Sequence, residues 1–61
     1  MEATFEEILQ VIKNMEEDRE KWFEKYQKAA GKRIRKNAME LKKLAGKLRK
    51  EISEEVNSLD S

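Results

Sequence analysis

The sequence predicts an all-α protein that folds as an antiparallel hairpin of two amphipathic helices. Apolar residues recur every three or four positions in both halves of the chain, proline is absent, and glycine occurs only twice in 61 residues. A chain of this length forms one domain, which we expect to span residues 1–61. Without cysteine or histidine for disulfides or metal sites, such a domain depends on close helix packing or self-association.

The first helix is expected at about residues 4–26. Thr4-Phe5-Glu6-Glu7 matches a capping box, in which the Thr4 hydroxyl accepts a hydrogen bond from the amide of Glu7. Apolar residues then follow at alternating spacings of three and four, a heptad pattern that Arg19 interrupts once. This apolar seam consists of Phe5, Ile8, Ile12, Met15, Trp22 and Tyr26.

The second helix is expected at about residues 32–57, with the last residues frayed. Its heptad seam consists of Ile34, Leu41, Leu48 and Ile52, with Ala38, Leu44, Ala45 and Leu59 beside it. Gly31 is the residue near mid-chain that disfavours helix, so the turn is expected close to it. A single continuous helix is an alternative, but the two heptad patterns lose phase across residues 29–34, which favours a hairpin.

The aromatic residues predict self-association. Phe5, Trp22, Phe23 and Tyr26 carry more apolar surface than one pair of helices can cover. We therefore expect a homodimer, in which two hairpins form a four-helix bundle or a coiled-coil-like assembly. Burial in a core or a dimer interface explains these aromatics more simply than stacking on nucleobases.

The net charge of +1 averages three blocks of opposite sign. Residues 1–27 carry a net charge of −4, residues 28–50 carry +9, and residues 51–61 carry −4. A short segment with so many uncompensated bases favours a polyanion as its partner.

Basic pairs repeat every seven residues in the second helix, at Arg35-Lys36, Lys42-Lys43 and Arg49-Lys50. Successive pairs lie about 10 Å apart along one side of the helix, which is typical of a helix that contacts a phosphate backbone. An alternative is that acids of the first helix pair with bases at the start of the second, which would give a salt-bridged scaffold without function. The acids are Glu16, Glu17, Asp18, Glu20 and Glu24, and the bases are Lys32, Arg33, Arg35 and Lys36. The candidate DNA-binding residues are Lys28, Lys32, Arg33, Arg35, Lys36, Lys42, Lys43, Lys47, Arg49 and Lys50.

A family resemblance rests on three strings of this basic segment. Lys28-Ala29-Ala30-Gly31-Lys32-Arg33-Ile34-Arg35-Lys36, then Glu40-Leu41 with Lys43, then Leu48-Arg49-Lys50 resemble the central segment of the bacterial linker-histone-like proteins, the chlamydial histone-like nucleoid family. The similarity covers about residues 26–55. It implies a helical, dimeric protein that binds DNA without marked sequence preference and compacts it. The basic positions that it carries over are Arg33, Arg35, Lys36, Lys43, Arg49 and Lys50.

Two departures from the family pattern affect what is expected. Tyr26-Gln27 stands where the family has Gly-Asn, so a turn that follows the family lies near residues 26–28. The Lys-rich C-terminal tail of the chlamydial members has no counterpart in this sequence, which ends in Asn57-Ser58-Leu59-Asp60-Ser61. We therefore expect a short form that binds DNA through its helical body.

The expected function is that of a histone-like, nucleoid-associated protein of the cytoplasm. It contacts the phosphate backbone of double-stranded DNA through the second helix and helps to compact or bridge DNA. The alternative is a helical-hairpin adaptor that binds RNA or an acidic protein. We expect no enzyme activity, cofactor, metal or small-molecule substrate, because nothing predicts a buried pocket that would shift a pKa. We also expect no membrane association. No apolar run is long enough to span a bilayer, and the acids of the first helix and the short Ala-rich seam of the second argue against binding to an anionic membrane surface.

Overall fold

The computed structural model describes residues 1–60, which form two α-helices, α1 (Glu2–Lys25) and α2 (Lys28–Asp60). The helices run antiparallel and are joined by Tyr26 and Gln27, giving a rod of 53 × 15 × 13 Å. The predicted all-α hairpin is confirmed. Since the amino group of Met1 lies beside Glu51, the last residues of α2 extend beyond the end of α1.

The turn lies at Tyr26 and Gln27. Tyr26 adopts the left-handed conformation, with φ 54° and ψ 35°, and its amide donates to the carbonyl of Trp22 at 3.0 Å. The Gln27 carbonyl in turn accepts from the amide of Gly31 at 3.2 Å, within the first turn of α2. The turn expected near Gly31 is therefore wrong, because that residue is already helical. The position near residues 26–28 implied by the family resemblance is the observed one.

The outer ends of both helices also differ from the sequence-based expectation. α1 begins at Glu2, and no side-chain hydrogen bond caps it. The predicted capping box is wrong because Thr4 lies inside the helix with 2% of its surface exposed. The helical conformation of α2 continues through Asp60, so the fraying expected from Asn57 onward is not observed in the described residues. Ser61 lies outside them.

The helices pack along one line of small and apolar side chains. Ala30 is completely buried and Leu44 is 6% exposed. Around them lie half-buried residues of both helices, which are Ile8, Val11, Met15, Ile34, Leu41 and Leu48. The core is thin, as expected for two helices with a single interface.

Polar residues fill one edge of the helix interface. The Arg33 guanidinium donates to both carboxylate oxygens of Asp18, with Nε 3.0 Å from each oxygen and Nη2 2.7 Å from Oδ1. At the start of α1, the α-amino group of Met1 lies 3.4 Å from Oε2 of Glu51, beside the buried Thr4. Because these contacts lie far apart along α1, at its start and at Asp18, they favour one register of the two helices.

Candidate nucleic-acid interface

The basic residues of α2 lie on the side of the rod that faces away from α1. Ile34, Leu41 and Leu48 point toward α1, and a basic pair follows each of them in the sequence. Heptad geometry places those pairs on the outer surface of the helix. Nine exposed residues form this surface, which we call the basic side. They are Lys28, Lys32, Arg35, Lys36, Lys42, Lys43, Lys47, Arg49 and Lys50.

Arg33 differs from the other bases predicted to bind DNA. It is 50% exposed at its side chain, but its guanidinium is held by Asp18, which is 10% exposed. The hydrogen bonds between them lower the pKa of the Asp18 carboxyl and raise the pKa of Arg33, outweighing the opposing effect of burial. The Arg33 guanidinium therefore has a structural partner in the hairpin.

None of the nine residues of the basic side forms an ion pair in the described residues, although the charge of Lys47 helps to lower the pKa of Glu51. Within residues 1–60, the Asp18–Arg33 bridge is the one ion pair between an acidic side chain of α1 and a basic side chain of α2. The Lys21–Glu17 pair, at 3.1 Å, lies within α1. Within the described residues, an acid of α1 therefore pairs with a base of α2 at a single position. The charge on the basic side remains available to an external anion.

Seven acidic residues are exposed on α1, the helix that lies across the rod from the basic side. They are Glu2, Glu6, Glu7, Glu16, Glu17, Glu20 and Glu24, and they outnumber the exposed bases of α1, which are Lys13, Arg19 and Lys25. The alternation of charge along the chain has thus become a separation of charge across the hairpin. A polyanion is attracted to the α2 side and repelled from the α1 side.

A separate carboxylate contact holds the start of α1 against α2. The Thr4 hydroxyl and the positive charge of the Met1 α-amino group lower the pKa of Glu51. Glu51 is half-buried at the point where the acidic end of α2 follows the basic side. The role of Glu51 in this arrangement is structural.

The predicted seam divides between the helix interface and an exposed face. Ile8, Met15, Ile34, Leu41 and Leu48 are half-buried between the helices. In contrast, Phe5, Ile12, Trp22, Tyr26 and Ile52 are exposed, with 37% to 77% of their surface accessible. The hairpin alone does not cover these side chains.

An apolar groove runs between the helices on this exposed face. It has a volume of about 310 Å³ and we call it the apolar groove. Its lining consists of Ile12, Met15, Phe23, Ile34 and Leu41, together with Glu16 and Arg19. No ion pair of Arg19 occurs within the part of the chain that the structure describes.

Other kinds of site have no support in the described residues. Residues 1–60 hold no cluster of three or more side chains able to bind a metal ion. Neither of the two helices that the structure describes is long and apolar enough to span a bilayer.

A two-helix rod that concentrates unpaired positive charge on one long side is a scaffold for contacting a polyanion. Comparison with protein families agrees with this class. The model of the family described as Histone H1-like protein Hc1 matches residues 2–58. The chain belongs to this family of histone-like, nucleoid-associated DNA-binding proteins. Neither the curated proteins nor the solved structures gave a match.

Proposed function

We propose that this protein binds double-stranded DNA without sequence preference through the basic side of α2. In this proposal it is a nucleoid protein of the cytoplasm that helps to compact or bridge DNA. The observation that carries the proposal is that nine exposed bases lie on one side of the rod with no ion-pair partner in the described residues. Membership in a histone H1-like family supports DNA as the polyanion.

The binding mechanism follows from the geometry of the basic side. Its paired bases recur about every 10 Å along a straight helix, so several can contact successive phosphates of one strand or of two strands across a groove. Each contact releases condensed counterion from the DNA, which provides a favourable entropy of binding. Contacts of this kind position a protein on DNA but carry no sequence information.

The salt dependence of binding tests the role of the basic side. The logarithm of the binding constant should fall with the logarithm of the salt concentration, with a slope of about 0.9 per phosphate contact. The Lys36→Gln Lys43→Gln variant removes two exposed charges of α2 and should reduce the magnitude of the slope by roughly two per hairpin. We expect no loss of helicity, because neither side chain packs against α1.

A matched control removes the same charge from the other helix. The Lys13→Gln Lys21→Gln variant lowers the net charge equally but leaves the basic side intact. It should bind with nearly the parent slope. Equal slopes for all three proteins would contradict the proposal, and tighter binding to an acidic polypeptide than to either duplex DNA or duplex RNA would favour the adaptor function instead.

A second copy of the chain is our proposed occupant of the apolar groove. The exposed residues of this face include Phe5 at 52%, Ile12 at 44% and Phe23 at 68%. Burial of a large apolar side chain contributes about 1.5–3 kcal/mol, and a symmetric dimer buries each of these residues twice. Where α2 extends beyond α1, Val56 at 47% and Leu59 at 79% exposure add to the apolar surface that a partner could cover.

Two exposed positions provide a matched test of this dimer. Phe23→Ser changes the lining of the apolar groove, whereas Met39→Ser changes a residue that is 62% exposed and absent from that lining. In sedimentation equilibrium the parent and Met39→Ser should have twice the mass of the 7.3 kDa chain, and Phe23→Ser should shift toward the monomer. A folded parent that remains monomeric under the conditions of DNA binding would refute the dimer.

A further inference from the structure

A second groove lies at the end of the rod where Tyr26 and Gln27 join the helices, which we call the hinge end. It has a volume of about 370 Å³ and we call it the hinge groove. One aromatic residue of α1, Trp22, contributes to its wall, and the remaining lining comes from α2. That lining consists of Lys28, Gly31, Lys32, Ile34 and Arg35. Ile34 also lines the apolar groove, so the two grooves share this residue as a wall.

The indole of Trp22 is held in place by its contact with the backbone of α2. A β-carbon at Gly31 would lie 2.8 Å from Cε3 and 2.9 Å from Cζ3 of the ring, so only glycine permits this approach. Trp22 nevertheless keeps 37% of its surface exposed, and the ring forms part of the wall of the hinge groove. An aromatic surface is therefore fixed in position before any ligand arrives, which lowers the entropic cost of stacking.

The polar lining of the hinge groove is entirely cationic. Lys28, Lys32 and Arg35 are exposed, and none of them forms an ion pair within residues 1–60. No acidic residue belongs to the lining. An aromatic ring beside three cations is the combination that binds single-stranded nucleic acid, where bases stack on the ring and the backbone follows the positive charge.

We propose that the hinge groove binds an unpaired nucleotide of single-stranded nucleic acid. The base stacks on Trp22, and the adjoining phosphates contact Lys28, Lys32 and Arg35. This inference rests on the proposed function, because both require bases of α2 to contact phosphates. It adds a site that distinguishes single-stranded from double-stranded nucleic acid. In a duplex the faces of the bases are covered by their neighbours, so the groove distinguishes an exposed base from a paired one.

The single tryptophan of the chain provides a direct readout of stacking. We would titrate the protein with oligothymidylate, with an abasic oligonucleotide of the same length, and with duplex DNA, and measure both fluorescence and affinity. Oligothymidylate and the abasic strand carry the same phosphate charge and differ only in their bases. Stacking should make oligothymidylate bind roughly 5- to 150-fold more tightly and quench Trp22 fluorescence, whereas the abasic strand and the duplex should leave the fluorescence nearly unchanged.

Variants separate stacking from charge. Trp22→Phe retains an aromatic ring and should keep part of the preference for oligothymidylate over the abasic strand. Trp22→Ala should abolish that preference. Lys32→Gln should weaken binding to both strands but leave the preference for oligothymidylate unchanged. If Trp22→Ala does not fold, the comparison of the two strands on the parent protein still decides the question.

The outcomes distinguish this inference from the proposed function. Equal affinity for oligothymidylate and the abasic strand, with unchanged fluorescence but retained duplex binding, would overturn the hinge groove as a nucleotide site and leave the proposed function intact. Loss of binding to all three nucleic acids would overturn both. Equal quenching by an acidic polypeptide would also overturn the inference, because it would show that charge alone perturbs Trp22.

Discussion

Replacement by alanine should stabilise the fold at one glycine of α2 and fail to stabilise it at the other. Both lie within the helix, where replacing glycine by alanine is worth about 0.8–1 kcal/mol in helix propensity. Their surroundings differ. At Gly46 an added β-carbon meets nothing within 4 Å, whereas at Gly31 it would lie 2.8 and 2.9 Å from two ring carbons of Trp22.

The expected magnitudes follow from these contacts. Gly46→Ala should gain the propensity term alone and stabilise the fold by about 1 kcal/mol, which raises Tm by roughly 4–8 °C in a domain of this size. Gly31→Ala gains the same term but forces the Trp22 indole to move, and overpacking of this kind costs about 1–3 kcal/mol. Its net effect should therefore lie between zero and about 2 kcal/mol of destabilisation.

Thermal unfolding followed by circular dichroism measures both variants, and Trp22 fluorescence reports separately on the indole. In a Trp22→Leu background the steric conflict is reduced, so Gly31→Ala should recover much of the gain seen at Gly46. If Gly31→Ala raised Tm as much as Gly46→Ala, with no change in tryptophan emission, then Trp22 would not pack against the backbone of α2.

Three further predictions concern the turn, the acid range and the core. Tyr26→Gly should stabilise the hairpin by up to about 1 kcal/mol, because glycine adopts the left-handed conformation without strain, and Tyr26→Ala should show no such gain in denaturant unfolding. Asp18 and Glu51 have pKa values below their ordinary range in the fold, so the stability that they contribute is present at neutral pH and lost as pH falls below about 4. Asp18→Asn should flatten this acid-induced fall in Tm, and an unchanged profile would contradict the role of the Arg33 contact. Leu44→Ala should lower the free energy of unfolding by about 2–5 kcal/mol in denaturant titrations, and a loss below 1 kcal/mol would show that Leu44 is not a core residue.

The heptad pattern predicted the hairpin correctly, and the structure divides the predicted seam of α1 between the helix interface and an exposed face. Ile8 and Met15 pack toward α2 as expected, whereas Phe5 and Ile12 lie on the exposed face. Two adjacent apolar stripes on one helix are indistinguishable by periodicity, because either can face the partner. The structure uses the stripe that includes Val11.

Two polar residues lie on the stripe of α1 that faces α2. The observed stripe of α1 also contains Thr4 and Asp18, which a search for apolar residues passes over. Each is buried against a specific residue of α2, Thr4 beside Glu51 and Asp18 against Arg33. The spacing of seven from Thr4 to Val11 and from Val11 to Asp18 was present in the sequence. This spacing identifies the packed face of α1 only once the residues of α2 that contact Thr4 and Asp18 are known.

The turn could not be located from residue preferences alone. The turn was predicted near Gly31 because glycine disfavours helix. In the structure, the missing side chain of Gly31 leaves the space that the Trp22 indole occupies. The chain reverses instead at Tyr26, a residue type that rarely adopts positive φ. Packing at the hinge end therefore overrode local conformational preference.

Charge separation across the hairpin limits how an assembly can engage DNA. Each copy has one attractive side and one repulsive side, so a single hairpin contacts one duplex at a time. A dimer formed through the apolar groove can place its two basic sides next to each other or on opposite sides of the bundle. In the first arrangement both basic sides contact one duplex, which doubles the salt slope per dimer. In the second arrangement each basic side contacts its own duplex with the slope of a single hairpin, so the dimer bridges two duplexes. Compaction by bridging therefore predicts duplex-duplex association that appears at the protein concentration where the dimer forms and is lost in Phe23→Ser, even if that variant still binds single duplexes with the slope of one hairpin.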